Sequence, residues 1–317
     1  MAARATRATL SASRAARLTE AVATGPLGAL SHDELGVIFD GLADPLQPAV
    51  TVALSSTCLG LRTPLRAALE VLKERHLRAK ALCRKVDRPG SPCSCAALRE
   101  ARMLIWMSLG LTTNDMLILG VILQHSRLPR LLRIMLHGNN IGDVGMLALC
   151  EGLGHGAAPS VDFLGLGGND IGPAGAEALA GALRRGAMPR LKQFYISPSH
   201  IGDQGLAALA SPLSKLSALQ DLNVGSCGIG DEGVASLLAE LGKDDFKRLE
   251  LLRLVQNDRL TARGYQSILS AIESRGLPAL QKVHLSLSWE HLDDSPVARA
   301  EEAIQRAIQA RAGLPLE

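Results

Sequence analysis

Residues Val161–Gly175, VDFLGLGGNDIGPAG, decide the fold of this chain. Counted from Val161, apolar residues fall at positions one, four, six and eleven, with an asparagine at nine and a glycine at fifteen. Positions four and six lie on one side of a strand, because strand side chains alternate with a period of two. Glycine at position twelve, followed by proline, suits the start of a helix. The stretch therefore predicts a strand, a tight loop and the beginning of a helix.

The same pattern recurs along the chain at a nearly constant interval. Units begin at positions 101, 131, 161, 191, 219, 249 and 280, so the steps between them are 30, 30, 30, 28, 30 and 31 residues. Each unit continues into apolar residues at helical spacing, as in Val234, Leu237 and Leu241. Position nine is Asn139, Asn169, Ser199, Cys227 or Asn257, and the short polar side chains there can hydrogen-bond turn backbone. A fixed period of this size predicts a solenoid.

The repeated pattern LxxLxLxxNxIGDxG, followed by an amphipathic helix, resembles the long leucine-rich repeat of ribonuclease-inhibitor type over residues 101–317. The resemblance implies an α/β fold, a right-handed horseshoe solenoid with parallel strands on the concave side and helices on the convex side. One repeat cannot bury its own apolar face, whereas a stack of repeats can. One layer of the core is expected to contain Leu164, Leu166, Ile171, Leu179 and Leu183.

Residues 27–61 resemble an F-box, with a short helix, a turn containing Asp44 and Pro45, and an apolar helix leading to Cys58. The F-box is a helical module that docks on the Skp adaptor of cullin-type ubiquitin ligases. The resemblance assigns adaptor binding to Leu35, Ile38 and Leu54. The alternative is that these helices only cap the open end of the solenoid, which needs a polar-faced lid.

Two further segments precede the repeats. Residues 1–26 are rich in Ala, Arg, Ser and Thr and poor in acids, which predicts a disordered tail, with an organelle transit peptide as the alternative. Residues 62–100 are predicted to be a basic helix and a linker. The basic residues would contact an acidic partner or phosphate, or would simply form a solvated helix face.

Composition and charge exclude several classes of protein. The net charge is +3; residues 1–100 carry 14 Lys and Arg against 9 Asp and Glu, and the remainder 20 against 22. The repeats thus lack the basic footprint that nucleic-acid binding requires. No apolar run reaches the roughly 18 residues of a membrane span.

Cysteine usage argues for free thiols. Cys83, Cys93 and Cys95 lack the paired CxxC spacing of a zinc site, and Cys150 and Cys227 occupy ordinary repeat positions. We therefore expect no metal and no cofactor, and a reducing compartment. That compartment would be cytoplasmic or nuclear, or an organelle if residues 1–26 form a transit peptide.

The binding surface is expected on the concave face. The glycine-rich stretch 165–170 lacks the GKS or GKT of a phosphate loop, and no catalytic constellation is found, so the chain is not predicted to be an enzyme. Strand positions three, five, seven and eight alternate with the core positions. The residues predicted to bind a partner from these positions are Arg133, Met135, His137, Phe163, Gln193, Tyr195, Asp221, Asn223, Arg253, Gln256, Lys282 and His284.

Within that face, Tyr195 and Arg253 are the expected anchors, because Tyr and Arg dominate interface energies. Gly165, Gly167 and Gly168 are expected to leave a bare floor that a partner's backbone could approach.

The sequence thus predicts a protein–protein interaction module. In one hypothesis the module is a substrate-recognition adaptor of a cullin-type ubiquitin ligase. In the other it is an interaction scaffold, or a GTPase or immune-type regulator, whose N-terminal helices only cap the solenoid.

Overall fold

A computed structural model describes residues 39, 42–57, 66–88, 93–126, 128–154, 156–239, 241–242, 244–274, 276–285 and 296–312. The chain divides into two compact units, Met1–Arg99 and Glu100–Glu317. The predicted tail 1–26 and the adaptor-binding candidates Leu35 and Ile38 lie outside the described residues, as does the side chain of Leu54. The boundaries drawn from sequence within the first unit stay predictions.

The described part of the first unit is helical. Its helices are α1 (Ala49–Thr57), α2 (Arg66–Val86) and α3 (Cys95–Glu100), the last of which ends at the unit boundary. Helix α2 buries Leu72, Leu82 and Val86 on one side. Its opposite side carries exposed ion pairs, Lys73 with Glu70 and Arg78 with Glu74. Exposed pairs of this kind contribute little stability, which fits a solvated helix face.

The turn at Asp44 and Pro45 is fixed by contacts within the first unit. The Pro45 carbonyl oxygen lies 2.7 Å from Nδ1 of His76 on α2. The Asp44 carboxylate pairs with Arg99 on α3 and accepts a hydrogen bond of 2.8 Å from the Leu46 N–H. Thr51 donates to the Leu42 carbonyl at 2.9 Å, which ties the start of α1 to the same turn.

The second unit is one open seven-stranded parallel sheet in which strand order follows chain order. The strands are β1 (Met103–Ile105), β2 (Arg133–Met135), β3 (Phe163–Gly165), β4 (Gln193–Tyr195), β5 (Asp221–Asn223), β6 (Leu251–Arg253) and β7 (Lys282–His284). The helices are α4 (Thr113–His125), α5 (Gly142–Gly152), α6 (Pro173–Arg184), α7 (Gly202–Ser214), α8 (Asp231–Leu238), α9 (Ala262–Glu273) and α10 (Pro296–Ala312). Strands alternate with helices, as predicted for a leucine-rich-repeat solenoid.

The strand register reproduces the sequence period. Leu164 pairs with Ile134 on one side and with Phe194 on the other, so equivalent repeat positions stack across the sheet. The layer predicted around Leu166 is confirmed: Leu164, Leu166, Ile171, Leu179 and Leu183 are each at most 6% exposed. The chain's low aromatic content is compatible with this core because each layer is thin and filled by aliphatic side chains.

Asparagines at position nine form a buried ladder along the loops. The Asn139 carboxamide accepts from the Leu109 N–H at 2.8 Å and donates to the Trp106 and Leu136 carbonyls, both at 2.7 Å. Asn169 accepts from the Asn139 N–H at 2.7 Å, so each asparagine serves the preceding repeat as well as its own. The predicted hydrogen bonding of turn backbone is confirmed. It satisfies buried groups that would otherwise lack partners.

Aspartates at position thirteen cap the helix of the following repeat, not their own. Asp143 Oδ1 accepts from the N–H groups of Gly172 and Gly175 at 2.7 and 2.8 Å, at the start of α6. Asp203 does the same for Gly230 and Gly233 at the start of α8. An aspartate at this position would also be favourable near the positive end of its own helix. The structure shows instead a hydrogen-bonded link between consecutive repeats.

Asp231 continues this series by capping α9, where its carboxylate accepts from the Thr261 and Gly264 N–H groups. Burial opposes its ionisation, but the hydrogen bonds from Thr261 and Gly264 outweigh that effect, so the pKa of Asp231 lies below its usual value.

Helices α5 and α7 have no such cap, because the preceding repeat has another residue at position thirteen. Before α7 that residue is Pro173, and α7 begins at Gly202 with a φ of 57°. Before α5 it is Thr113, and α5 begins at Gly142 with a φ of 62°. Glycine adopts this left-handed conformation at little cost. The predicted N-cap position therefore becomes the first residue of these two helices.

Replacing Asp143 by alanine is expected to destabilise the second unit by about 1–2 kcal/mol, because two helix N–H groups lose their acceptor. Urea unfolding followed by circular dichroism measures the change. Asp258→Ala is the matched control, since Asp258 is exposed and does not have a positive φ, and surface substitutions usually change stability by less than about 0.5 kcal/mol. Equal effects of the two substitutions would contradict the role of Asp143 as a cap.

Candidate protein-binding face

The sheet has one face in the core and one face that carries the predicted binding residues. We call the second one the outer sheet face; it comprises repeat positions three, five, seven and eight. The central residue of every strand is buried, whereas the flanking residues of β1, β2, β4, β6 and β7 are exposed or half-buried. This is the alternation predicted from the period of two.

A chain of polar and aromatic contacts crosses the outer sheet face from β2 to β6. The Arg133 guanidinium lies 6.0 Å from the centre of the Phe163 ring. Phe163 meets Tyr195 edge to face, with ring centres 5.2 Å apart. The Tyr195 hydroxyl donates to Asp221 Oδ2 at 2.6 Å. Arg253 then completes the chain, with its guanidinium 5.6 Å from the Tyr195 ring centre.

Asp221 is the buried centre of this network. Arg253 donates to both of its carboxylate oxygens, through Nε at 3.2 Å and Nη2 at 3.1 Å. The Asp221 residue is only 7% exposed, so its charge needs this pairing. The hydrogen bonds that Arg253 donates to Asp221 raise the pKa of Arg253. Burial raises the pKa of Tyr195 to about 12, and the hydrogen bond to Asp221 adds to the rise.

These contacts hold Tyr195 and Arg253 in place before any partner binds. Both residues are half-buried, so part of each side chain still faces solvent. Ordering such long side chains costs free energy on binding, and that cost is smaller when they are already fixed. The sequence singled out both residues but could not show that Asp221 joins them, because they belong to three different repeats.

The expectation of a bare glycine floor is wrong. Gly165 and Gly167 are buried. A side chain at Gly165 would meet Nε2 of His137 at 2.2 Å, and one at Gly167 would meet the Ser197 carbonyl oxygen at 1.8 Å. The glycines thus make room for the neighbouring repeats. Burial among these groups lowers the pKa of His137.

Phe163 also differs from its predicted role. It lies on the outer sheet face but is only 8% exposed, because its ring packs against Tyr195 and Arg133. It therefore supports its neighbours and offers little surface to a partner.

The other predicted residues lie on the same face. Gln193, Asn223, Met135 and His284 are half-buried, and Arg133, Lys282 and Gln256 are exposed. Gln256 accepts a hydrogen bond of 2.8 Å from Ser226. Burial lowers the pKa of His284, and the nearby cations Lys282 and Arg253 lower it further.

Three exposed apolar residues on β1 and its loop were missed in the sequence. Met103 and Ile105 are 48% exposed and Met107 is 39% exposed. They occupy positions three, five and seven of the repeat that begins at Ala101. The alternation of side chains along a strand would therefore have identified them. That unit is degraded in sequence, and only its core positions were assigned.

Interaction with Cys93, together with burial, raises the pKa of the Cys83 thiol on α2, a proximity that the spacing did not predict. No group of His, Cys, Asp and Glu among the residues described above is arranged to hold a metal ion. Likewise, none of the helices given above is both long enough and apolar enough to cross a membrane.

Comparison with known proteins agrees with the fold. A family model described as "Leucine Rich repeat" matches residues 131–150, 160–180 and 216–238. A solved structure described as "Leiomodin-1 Actin-Binding Site 2 (ABS2)" is 15% identical with a TM-score of 0.41, over 53% of this chain and 88% of that one. No curated protein matches the sequence. The chain contains leucine-rich repeats, which generally mediate protein–protein interaction and are typically non-enzymatic.

Proposed function

We propose that this chain is a non-catalytic recognition subunit that binds a protein partner on its outer sheet face and a Skp-type adaptor through residues 27–61. In this proposal the repeats are of ribonuclease-inhibitor type, the outer sheet face is the concave side of the solenoid, and the captured partner is the substrate of a cullin-type ubiquitin ligase. The reducing environment of the cytoplasm or nucleus suits its free thiols.

The observation that carries the first half of the proposal is the network centred on Asp221. Tyr195 and Arg253 are of the residue types that dominate interface energies, and they are held by a buried carboxylate with two Arg253 hydrogen bonds and one from Tyr195. A buried ion pair is costly to build and is weak evidence of stability. A network that leaves part of both side chains accessible fits a preorganised contact surface.

The second half is supported by the apolar character of helix α1. Its sequence, AVTVALSST, contains no charged residue, and Val52 on it is 41% exposed. Exposed apolar surface of this kind fits a contact with a protein partner. The turn at Asp44 and Pro45 contacts His76 on α2 and Arg99 on α3. These contacts fix the position of the segment that leads into α1.

Adaptor binding is tested by a pull-down of the full chain with a purified recombinant Skp-type adaptor. We expect a complex with the wild-type chain and its loss in Leu35→Asp and Ile38→Asp, because a charge would disrupt an apolar contact. Leu77→Asp is the matched control, as an exposed Leu outside the F-box-like segment. Absence of a wild-type complex would favour the scaffold hypothesis, in which these helices only cap the repeats.

The binding face is tested by photo-crosslinking in cell extract. A photoreactive amino acid is placed at Gln193 on the outer sheet face and, in a second protein, at the exposed Gln204 on α7. A protein captured from Gln193 and not from Gln204 is expected. Equal capture from both positions, or capture from Gln204 alone, would move the binding surface to the helices.

For the partner so captured, Tyr195→Ala and Arg253→Ala are each expected to weaken binding by about 1–2 kcal/mol, as measured by calorimetry. Arg253→Ala also leaves the Asp221 carboxylate buried without its cation. The double variant Arg253→Ala/Asp221→Ala removes that side effect and should bind as weakly as the single variant. Unchanged affinity in all three variants would exclude this network as the contact.

A further inference from the structure

We infer that the outer sheet face is built for an acidic polypeptide segment with an apolar end, which lies across the strands with its apolar residues over β1 and β2 and its carboxylates over Arg133, Arg253 and Lys282. The inference rests on the proposed function, because it names the chemistry of the partner at the same face.

The accessible charge of the face is positive. Arg133, Arg253 and Lys282 supply cations at positions three and five of β2, β6 and β7, whereas Asp221 is the acid at these positions of the described strands. Asp221 is nearly buried and already engaged by Arg253 and Tyr195. Its charge is therefore hidden from a partner. Among the described residues, Arg133 and Lys282 have no carboxylate partner, so both are available for ion pairs.

This polarity belongs to the face and not to the whole repeat unit. The repeats together carry slightly more acids than bases, 22 against 20. The loops at the carboxyl ends of the strands hold the exposed Asp170 and Asp258, and the cation beside them, Arg259, is paired with Asp203. Carboxylates of a partner would thus be attracted to the middle of the strands and repelled from this rim. Complementary potentials of this kind select the partner and its orientation.

The two ends of the face differ in polarity. Met103, Ile105 and Met107 are exposed at the β1 end, and the half-buried Met135 lies beside them on β2. Methionine side chains adapt to the shape of an apolar partner. The β6 and β7 end carries Arg253, Lys282 and His284 instead. A partner segment therefore needs apolar residues at one end and acids at the other, with a further acid near Arg133.

Strand spacing sets the length of that segment. Parallel strands lie about 4.8 Å apart, so β1 and β7 are separated by roughly 29 Å. An extended segment covers that distance in about 9 residues, and a helix in about 19. A displayed library of random peptides of about 20 residues can supply either conformation.

The experiment selects such a library on the immobilised full-length chain at about 0.15 M salt, where surface charges beyond ~8 Å are screened. Recovered peptides are resynthesised, and their affinities are measured by fluorescence polarisation. We expect most of them to be acidic, with Leu, Ile, Met or Phe concentrated at one end. Affinity should fall roughly 30-fold for Arg133→Glu and for Lys282→Glu. A fall of similar size is expected for Ile105→Asp, which places a charge in the apolar end.

Arg190→Glu is the matched control, because Arg190 is exposed in the loop before β4 and the substitution changes the net charge equally. It should leave affinity unchanged. Recovery of neutral or basic peptides that still depend on Tyr195 would overturn the inference but leave protein binding at this face intact. If the affinity of the peptides is unchanged by every outer-face variant, or if no peptides are recovered, both the inference and protein binding at the outer sheet face would be overturned. Adaptor binding by residues 27–61 is measured separately and does not depend on this outcome.

Discussion

The variant Leu166→Asp is expected to unfold the second unit, Glu100–Glu317, or to reduce its free energy of unfolding by at least about 4 kcal/mol. Leu166 is fully buried in the layer that also contains Leu164, Ile171 and Leu179. The substitution removes a packed aliphatic side chain and leaves a carboxylate that has no cation within this apolar layer. Because domains are stable by only about 5–15 kcal/mol, this is a large part of the total.

Thermal and urea unfolding, monitored by circular dichroism, measure the effect. Leu132→Asp makes the same change of residue on the neighbouring repeat, but Leu132 is 38% exposed, and the carboxylate there would stay hydrated. We expect the control to lose less than about 1 kcal/mol. A Leu166→Asp protein that melts with the wild type would contradict the burial of position six and the strand register that follows from it.

The repeat positions were predictable because the same constraint recurs in every unit. A leucine at position four or six must face the core in each layer, so several repeats independently indicate the same core positions. The register of all seven strands then follows from one sequence pattern. The asparagine at position nine is equally constrained by turn backbone that needs a hydrogen-bonding partner.

Contacts between residues of different repeats could not be inferred in the same way. In the network joining Tyr195, Asp221 and Arg253, each residue type occurs once at its own repeat position of the described strands, so no period reveals it. The helix caps are a related case. Asp143 lies in the first turn of its own helix in sequence, but its carboxylate reaches the next helix, because the stacking offset between repeats decides which N–H groups lie nearest.

The glycines were assigned to the correct face of the sheet, but the prediction that they leave this face open was wrong. Gly165 and Gly167 were placed on the outer sheet face, where strand alternation puts them. Whether such a site is open depends on neighbouring repeats, and here the His137 side chain and the Ser197 backbone occupy the space. Conversely, Met103 and Ile105 are exposed in a unit whose sequence departs from the repeat.

The variant Asn169→Ala is expected to cost about 3 kcal/mol, because it removes several buried hydrogen bonds at once. The side chain accepts from the Asn139 N–H at 2.7 Å and donates to the Leu136 and Leu166 carbonyls at 2.9 and 2.6 Å. The Leu136 carbonyl keeps a second donor, Asn139. The Asn139 N–H and the Leu166 carbonyl would be left buried without their partner, and each such group costs about 1–3 kcal/mol.

Ser199→Ala is the matched control for Asn169→Ala, since Ser199 holds the same repeat position and is also buried. Its hydroxyl forms a 3.2 Å contact with the Cys227 thiol, and thiols are weak hydrogen-bonding groups. We therefore expect this variant to lose no more than about 1 kcal/mol. Urea unfolding measures both changes, and an unchanged denaturant slope would show that stability changed while the surface exposed on unfolding did not. Equal losses would mean that position nine matters for loop shape alone, and that the hydrogen-bonded asparagines do not carry the stability assigned to them.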